Sequence, residues 1–283
     1  MTDSNALAEL MKVDEDGLSF ANKTAQWIAY ERHVESERSD RLFCDPVARH
    51  LAGKYGERLS ALFAQHAPYS FPALGENGFL WYHAARTMFI SERIKEWSAG
   101  IASGPKQVLN LGAGYDSRAY WDQSLSGVDV YIEVDESQVN DPKNTVLNQI
   151  ETLPNLICPR QSISLDFSKE TTRDILNHHF CATVPTLFLL EGLIMYLEAA
   201  AVRRLYEDID TLACKGSCVV VNVVETSKEH HRATFAEAIF LKMEGWTKCR
   251  PVVMFGDASF AFQRYADNAE PNKNLGFAMY VKK

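Results

Sequence analysis

The chain lacks a basic excess: 29 Lys and Arg stand against 37 Asp and Glu over 283 residues, a formal net charge of −8. Neutralising a phosphate backbone takes clustered cations, so the balance excludes a dedicated nucleic-acid binder and points to a small molecule or a protein tail as partner. It also lacks any apolar run of about 18 residues that could span a bilayer. Met1 to Leu18 is polar and acidic, with neither the basic start nor the apolar centre of an export signal. No membrane association is expected, and the expected location is cytoplasmic. Cys44, Cys158, Cys181, Cys214, Cys218 and Cys249 are scattered without a Cys-x-x-Cys pair, which argues against a disulfide framework or a zinc site. Cys214 and Cys218 have Gly216 between them and no histidine within ligand spacing. Internal repeats and low-complexity stretches are missing too.

Hydrophobic residues at 46% and charged residues at 23% are ordinary for a folded chain, and this length suffices for one large domain or a domain with a substantial cap. The texture changes at Gly100 to Pro105. Upstream, apolar and aromatic residues recur at helical spacing over Gln26–Glu37 and Phe79–Trp97, with a turn-rich stretch over His66–Gly78 and no obvious strand. Downstream, β-rich runs at Gln107–Leu111, Val128–Val134, Gln161–Leu165, Thr186–Leu190 and Cys218–Val224 alternate with helical segments. These lie near Ser117–Ser124, Glu136–Thr152, Ser168–His178, Glu198–Cys214 and Lys228–Met243. The alternation predicts an α/β fold with a mostly parallel sheet covered on both faces. A closing strand, helix and strand at Pro251–Phe255, Ala258–Ala266 and Leu275–Lys282 predict an antiparallel addition at one edge. The expected division is a helical cap over residues 1–103 and a core over 104–283.

The first strand runs straight into Gly112-Ala113-Gly114. Glycine lets the backbone turn sharply there and lets a ligand approach, while a following helix would aim its amide groups at what binds. The next strand ends in Asp135, with Glu133 two residues earlier, an acid placed to grip ribose hydroxyls. Alternation puts both carboxylates on one side, so the two can exchange roles, and one can cap the helix that starts near Ser137. Gly-x-Gly alone serves equally as a structural turn. A dinucleotide fingerprint would set a third glycine at 117, where this chain has Ser117, and bulky Tyr115 follows the second glycine. Asp116 repels a pyrophosphate and suits the positively charged methionine portion of S-adenosyl-L-methionine. The loop therefore favours that donor over NAD; an NAD-dependent oxidoreductase and a non-catalytic cofactor-binding protein are the alternatives.

With these features in place, the chain resembles the leucine carboxyl methyltransferase family, which also includes tetracenomycin-type polyketide O-methyltransferases. The resemblance begins at about Asn22 and rests on separated blocks: Glu35-Ser36-Glu37-Arg38 leading to Leu42-Phe43-Cys44-Asp45-Pro46, Arg86-Thr87, Leu111 to Arg118, Glu133-Val134-Asp135, and Glu191 to Leu197. It implies a class I methyltransferase fold, a Rossmann-like, seven-stranded, mostly parallel sheet whose last strand is antiparallel, with an N-terminal helical cap. It implies S-adenosyl-L-methionine as methyl donor, S-adenosyl-L-homocysteine as product, and O-methylation of a carboxylate or a phenolic or other hydroxyl oxygen, on a small molecule or, as the alternative, at a protein C-terminus.

By the same resemblance Arg86 would pair with the donor's methionine carboxylate, and Gly112, Ala113 and Gly114 would line its amino-acid end. Asp135 would hold the ribose, Asp166 and Phe167 would contact adenine, and Glu191 would lie under the ammonium. Each charged residue has a plainer reading. Arg86 on a helix can pair with a nearby Glu, Asp166 can cap a helix at Ser168, and Glu191, emerging from an apolar strand at the sheet's carboxyl edge, can be a salt-bridged structural acid. The chain departs from the family in having Ser91-Glu92 where paired aspartates are common, and Trp121 where an arginine is usual.

The acceptor side is less determined. Tyr30, Tyr82 and Tyr196 are candidate acceptor contacts, and the aromatic cap residues Trp27, Tyr30, Phe79, Trp81, Tyr82 and Phe89 can form either a pocket or plain core. Tyr196 can equally be core. A carboxylate acceptor is already ionised near neutrality, whereas a phenol, with a reference pKa of about 10, needs a base. Of the eight histidines, the pairs His178-His179 and His230-His231 read as solvated helix ends, and His33 and His83 lie in the cap half without motif support. No general base is assigned from sequence.

Overall fold

The computed structural model describes residues 18–171, 180–224, 242–249, 252–265, 270–272 and 274–283. The uninterrupted apolar runs form the middle of the sheet. Strands β1 (Gln107–Leu111) and β4 (Thr186–Leu190) are buried along their whole length, and β5 (Cys218–Val224) joins them in a parallel ladder with β2 (Val130–Asp135) and β3 (Arg160–Ser164). Of the helices expected between these strands, α5 (Ser137–Gln149) and α6 (Ala199–Leu212) are present, while residues 172–179 and 225–241 lie outside the described residues. Helix α6 buries Val202, Leu205, Tyr206, Ile209 and Leu212, a stripe at spacings of three and four.

The antiparallel addition closes one end of the sheet as expected: β8 (Leu275–Lys282) sits between β5 and β6 (Trp246–Lys248), in the order β3-β2-β1-β4-β5-β8-β6. Two readings of the sequence change. A two-residue strand β7 (Val253–Met254) also pairs with β8, which makes eight strands among the described residues rather than the seven expected. The helix expected over Ser117–Ser124 is two short 3-10 turns, Arg118–Tyr120 and Gln123–Gly127. Asp116 Oδ1 accepts from Arg118 N at 2.7 Å and Asp122 Oδ1 from Ser124 N at 2.9 Å; such local side-chain bonds compete with the helical ladder.

Upstream of β1 the described residues are helical: α1 (Phe20–Ser36), α2 (Ala48–Leu51), α3 (Gly56–Ser70) and α4 (Gly78–Gly100). Ser19 caps α1 by accepting from Asn22 N at 3.2 Å. Helix α3 carries the chain through His66 to Ser70, so the turn-rich stretch begins later than its Pro68 suggests. Helix α4 packs on the sheet: Phe89 stacks on Phe277 of β8 at 4.8 Å, and Trp97 Nε1 donates to Gly216 O at 3.0 Å. One core, including Ile90, Ile94, Val108, Tyr131, Leu187 and Phe277, fills that face; Leu109, Ile132, Phe188 and Val219 belong to the core on the other. The short helix α7 (Ala258–Ala261) closes against the first core through Phe260. Among the described residues no helix is long and apolar enough to cross a membrane.

Register positions the site. Leu111 is level with Val134 on one side and Leu190 on the other, so the residues that follow β1, end β2 and follow β4 emerge together. These are Gly112, Asp135 and Glu191.

Candidate active site

A cavity of about 480 Å³ opens over these three strand ends, with α1 and α4 on its far side. Ligands of open α/β sheets bind at this edge, where the strand order reverses. Gly112 and Gly114 both have left-handed backbone, with φ of +70° and +51°. The peptide groups of Gly112 and Ala113 fold back onto Val134 O at 2.8 and 3.1 Å. Gly114 N then donates to Asp135 Oδ2 at 2.6 Å, and Glu136 N to Asp135 Oδ1 at 2.8 Å. The first and second strand tips are thereby locked together, with Asp135 half-buried between them and its pKa raised by burial.

A Cβ on Gly112 would stand 2.8 Å from Leu193 Cδ1, whereas one on Gly114 would meet only Ala25 Cβ, at 3.5 Å. Gly112→Ala therefore combines a left-handed alanine with a collision. It is expected to destabilise the fold by about 2 kcal/mol, a loss to be measured as a lower urea midpoint with the slope unchanged.

Across the cavity Arg86, on α4, places Nε 2.7 Å from Glu191 Oε1, and Arg118 places a guanidinium nitrogen 2.9 Å from Glu191 Oε2. Arg118 also pairs with Asp116. Burial pushes the Glu191 carboxyl up, but Arg118, then Arg86 and Arg32, outweigh it and hold the pKa down to about 2. Because the folded value lies below the ordinary 4.5, Glu191 contributes stability at pH above that value and loses it as pH falls toward 2. The Glu191→Gln protein is expected to be less stable than the parent at neutral pH, with the gap closing between pH 4.5 and about 2 in urea titrations.

The helical half is strapped to the glycine turn. Arg32 bridges Asp45 at 3.0 Å and donates to Tyr115 O at 2.6 Å, Ser117 Oγ donates to Asp45 at 2.5 Å, and Tyr115 OH donates to Asn22 at 3.0 Å. Asp45 also accepts from Val47 N and Ala48 N, which starts α2. The Asp45-Pro46 block is thus a joint between cap and turn. The two family departures are absorbed locally: Ser91 Oγ donates to Asp122 at 2.5 Å, and Trp121 stacks on Phe43 at 5.2 Å.

Of the residues expected around a donor, Arg86, Gly112, Ala113, Gly114, Asp135, Phe167 and Glu191 line this cavity, and Glu133 and Asp166 do not. Glu133 is fully buried beneath the strand tip, 2.7 Å from both Lys143 Nζ and Arg160. Alternation places it on the same side as Asp135, but one pleat deeper it meets α5 instead of the ligand edge. Asp166 accepts from Ser168 N at 2.9 Å and from Lys169 Nζ at 2.6 Å, and Lys169 and Ser168 hold its pKa down to about 2; it caps the turn that follows. Tyr82 lines the cavity, buried, with Asn222 Nδ2 donating to its hydroxyl at 2.9 Å. Tyr196 is 51% exposed at the rim rather than in the core. Tyr30 does not line the cavity; its Cβ lies against Gly56 of α3.

Among the aromatic cap residues Trp27 and Phe79 join the lining, while Phe89 is core and Trp81 packs under Arg38 and Arg264. Sequence reading gave no role to Arg32, Arg118 or Glu31. Arg118 stood inside the glycine-turn block, so its place beside the ligand edge was available; the other two owe their positions to contacts across the cap.

A family model described as leucine carboxyl methyltransferase matches residues 25–210. A Mycobacterium tuberculosis protein provisionally named an S-adenosyl-L-methionine-dependent methyltransferase is 33% identical over 216 residues, 75% of this chain and 65% of the relative. A Mycobacterium bovis protein with the same provisional name is 34% identical over 202 residues, 70% of this chain and 64% of the relative. The chain thus spans just under two thirds of the length of these relatives. The crystal structure of a DUF574 family protein from Streptomyces avermitilis covers 90% of this chain and 96% of its own at 16% identity and a TM-score of 0.51, a likeness of fold. The match over residues 25–210 takes in most of the N-terminal helices, the glycine turn and Glu191 alike: the chain belongs to the leucine carboxyl methyltransferase family.

Proposed function

We propose that the chain is an S-adenosyl-L-methionine-dependent methyltransferase that methylates an oxygen of a small molecule. The observation that carries this reading is the joined glycine turn and Asp135 facing the Arg86–Glu191 pair across one cavity. The lining sets Asp116, Asp135, Glu136 and Glu191 against Arg32 and Arg86, an acidic balance that suits a sulfonium and repels a pyrophosphate. Gly114 and Gly192 leave the floor open; the nearest atom to a Cβ on Gly192 would be an Arg86 nitrogen at 3.8 Å. The names of the mycobacterial relatives point the same way.

In this reading Arg86 holds the donor's carboxylate, Glu191 its ammonium, the backbone of Gly112 to Gly114 its amino-acid end, Asp135 the ribose, and Phe167 a face of adenine. The bound donor supplies an electrophilic methyl group on a sulfonium. The protein supplies position: it holds the acceptor oxygen about 3 Å from the reacting carbon and keeps water out. Helices α1 and α3 act as the cap, and α4, which packs on the sheet, carries Arg86 and Tyr82 to the boundary.

Calorimetric titration is expected to give micromolar binding of S-adenosyl-L-methionine or S-adenosyl-L-homocysteine and none of NAD. Binding of NAD alone would overturn the reading. A donor complex that turns over no acceptor would leave a cofactor-binding protein.

A further inference from the structure

We infer that His83, oriented by Glu31, is the general base that takes the proton from a neutral hydroxyl on a flat aromatic acceptor, so that the chain methylates phenol-type oxygens rather than carboxylates. The inference rests on the donor site proposed above. His83 lies on α4 three residues before Arg86, hence on the same helical face one turn away, and its buried ring lines the same cavity. Nδ1 of the ring pairs with Glu31 Oε2. Glu31 is itself buried in α1, and its other oxygen accepts from Trp27 Nε1 and from Ser60 Oγ, the latter at 2.9 Å. With both oxygens engaged, the carboxylate fixes the ring's orientation and places the proton on Nδ1. The lone pair then belongs to Nε2, the nitrogen left for a ligand.

The charged groups around the ring are Glu31 from α1, Arg86 from its own helix and Glu191 beyond β4. Burial lowers the His83 pKa below its ordinary 6.5, and Glu31 offsets only part of that, so the ring is neutral at pH 7. Trp27 stands edge-on to it at 4.9 Å and Phe79 lies parallel at 6.3 Å, an apolar setting for a flat ring. A carboxylate acceptor fits poorly: Glu31 would oppose it, and the two guanidiniums in the described lining are engaged, Arg32 with Asp45 and Arg86 with Glu191. It would also need no base.

In the step, the acceptor O–H bond breaks and its proton goes to His83 Nε2. The oxygen's electron pair forms the O–CH3 bond, and the pair of the S–CH3 bond stays on sulfur as a neutral thioether. Glu31 stabilises the imidazolium until its proton passes to water. His83 is the catalytic residue and Glu31 a positioning residue.

The test compares 2-naphthol, catechol and 4-methylphenol with 2-naphthoate and benzoate as acceptors in the presence of S-adenosyl-L-methionine, for the parent, His83→Gln and Glu31→Gln proteins. The phenols are expected to be methylated and the carboxylates not. His83→Gln is expected to lower kcat/KM by about 10²- to 10⁴-fold while S-adenosyl-L-homocysteine binds as before. The parent rate is expected to rise with pH as His83 loses its proton. That limb disappears in His83→Gln and moves to lower pH in Glu31→Gln, a shift that a merely structural role for Glu31 would not produce. Nitrogen NMR of the ligand-free parent is expected to show the Nδ1–H form of His83. Methylation of the carboxylates alone, full turnover by His83→Gln, an Nε2–H form, or no turnover of any phenol by protein that binds S-adenosyl-L-homocysteine each overturns the inference. Failure to bind S-adenosyl-L-homocysteine overturns the donor site first, and this inference with it.

Discussion

Replacing Glu133 with alanine is expected to lower the stability of the fold by about 3–5 kcal/mol, the cost of leaving a buried charge without its partner. Lys143 and Glu133 side chains are both 0% exposed, and Arg160 approaches the same carboxylate oxygen as Lys143. Burial pushes the Glu133 pKa up, but Lys143 and Arg160 more than offset that and keep the group ionised. Without Glu133, the Lys143 ammonium must stay buried beside Arg160 or give up its proton. The unfolded chain keeps that proton to about pH 10.5, whereas burial lowers the value in the folded protein. The unfolded state then binds more protons within this window, so the stability of the variant climbs as pH rises toward 10.5. Combining Glu133→Ala with Lys143→Met removes the stranded charge and is expected to recover much of the loss. Urea midpoints of the two proteins across pH check both statements; equal stability of the single and double variants would show that the pair does not hold the strand to the helix.

The second large effect concerns the donor. If Asp135 holds the ribose as proposed, Asp135→Ala is expected to weaken binding of S-adenosyl-L-homocysteine by at least about 10²-fold, since two charge-assisted hydrogen bonds to a ribose diol are together worth roughly 3–4 kcal/mol. The same substitution removes the acceptor of Gly114 N and Glu136 N, so the loss has both a contact and a turn-ordering part. Asp135→Asn separates them, because an amide oxygen still accepts from Gly114 N but carries no charge. Titration with adenosine is expected to show the loss, and titration with methionine to show little of it. A variant that binds S-adenosyl-L-homocysteine and adenosine as tightly as the parent would move the ribose contact elsewhere.

How much of this was legible before the fold was known depends on where the determining contacts lie. β1, β4, β5 and β8 begin and end where their apolar runs do, because a central strand buried on both faces writes its whole length as hydrophobic residues. The three residues of β6 carry no such pattern; they are a strand because β8 pairs with them. Arg86, the glycine turn, Asp135 and Glu191 could be gathered from sequence because each stands at a chain feature, a strand end or a motif block. Glu133 and Asp135 could not be separated, since alternation assigns a side but not a depth, and the lysine that claims Glu133 arrives from the next helix. The Glu31–His83 pair spans 52 residues across two helices. Nothing local marks either member, and only the packing of α1 on α4 brings them together.

The outer margin of the sheet has a bearing on how the molecule behaves among its own copies. β8 is flanked on its far side by two separate short strands, three residues of β6 and two of β7, rather than by one long one. A long, flat terminal strand offers a continuous row of amide and carbonyl groups on which another chain can template, the usual opening step of sheet-to-sheet aggregation. Here that row is broken in the middle, and the eight-residue, strongly apolar β8 is kept inside. The broken margin keeps this apolar strand from templating a second copy in a crowded solution.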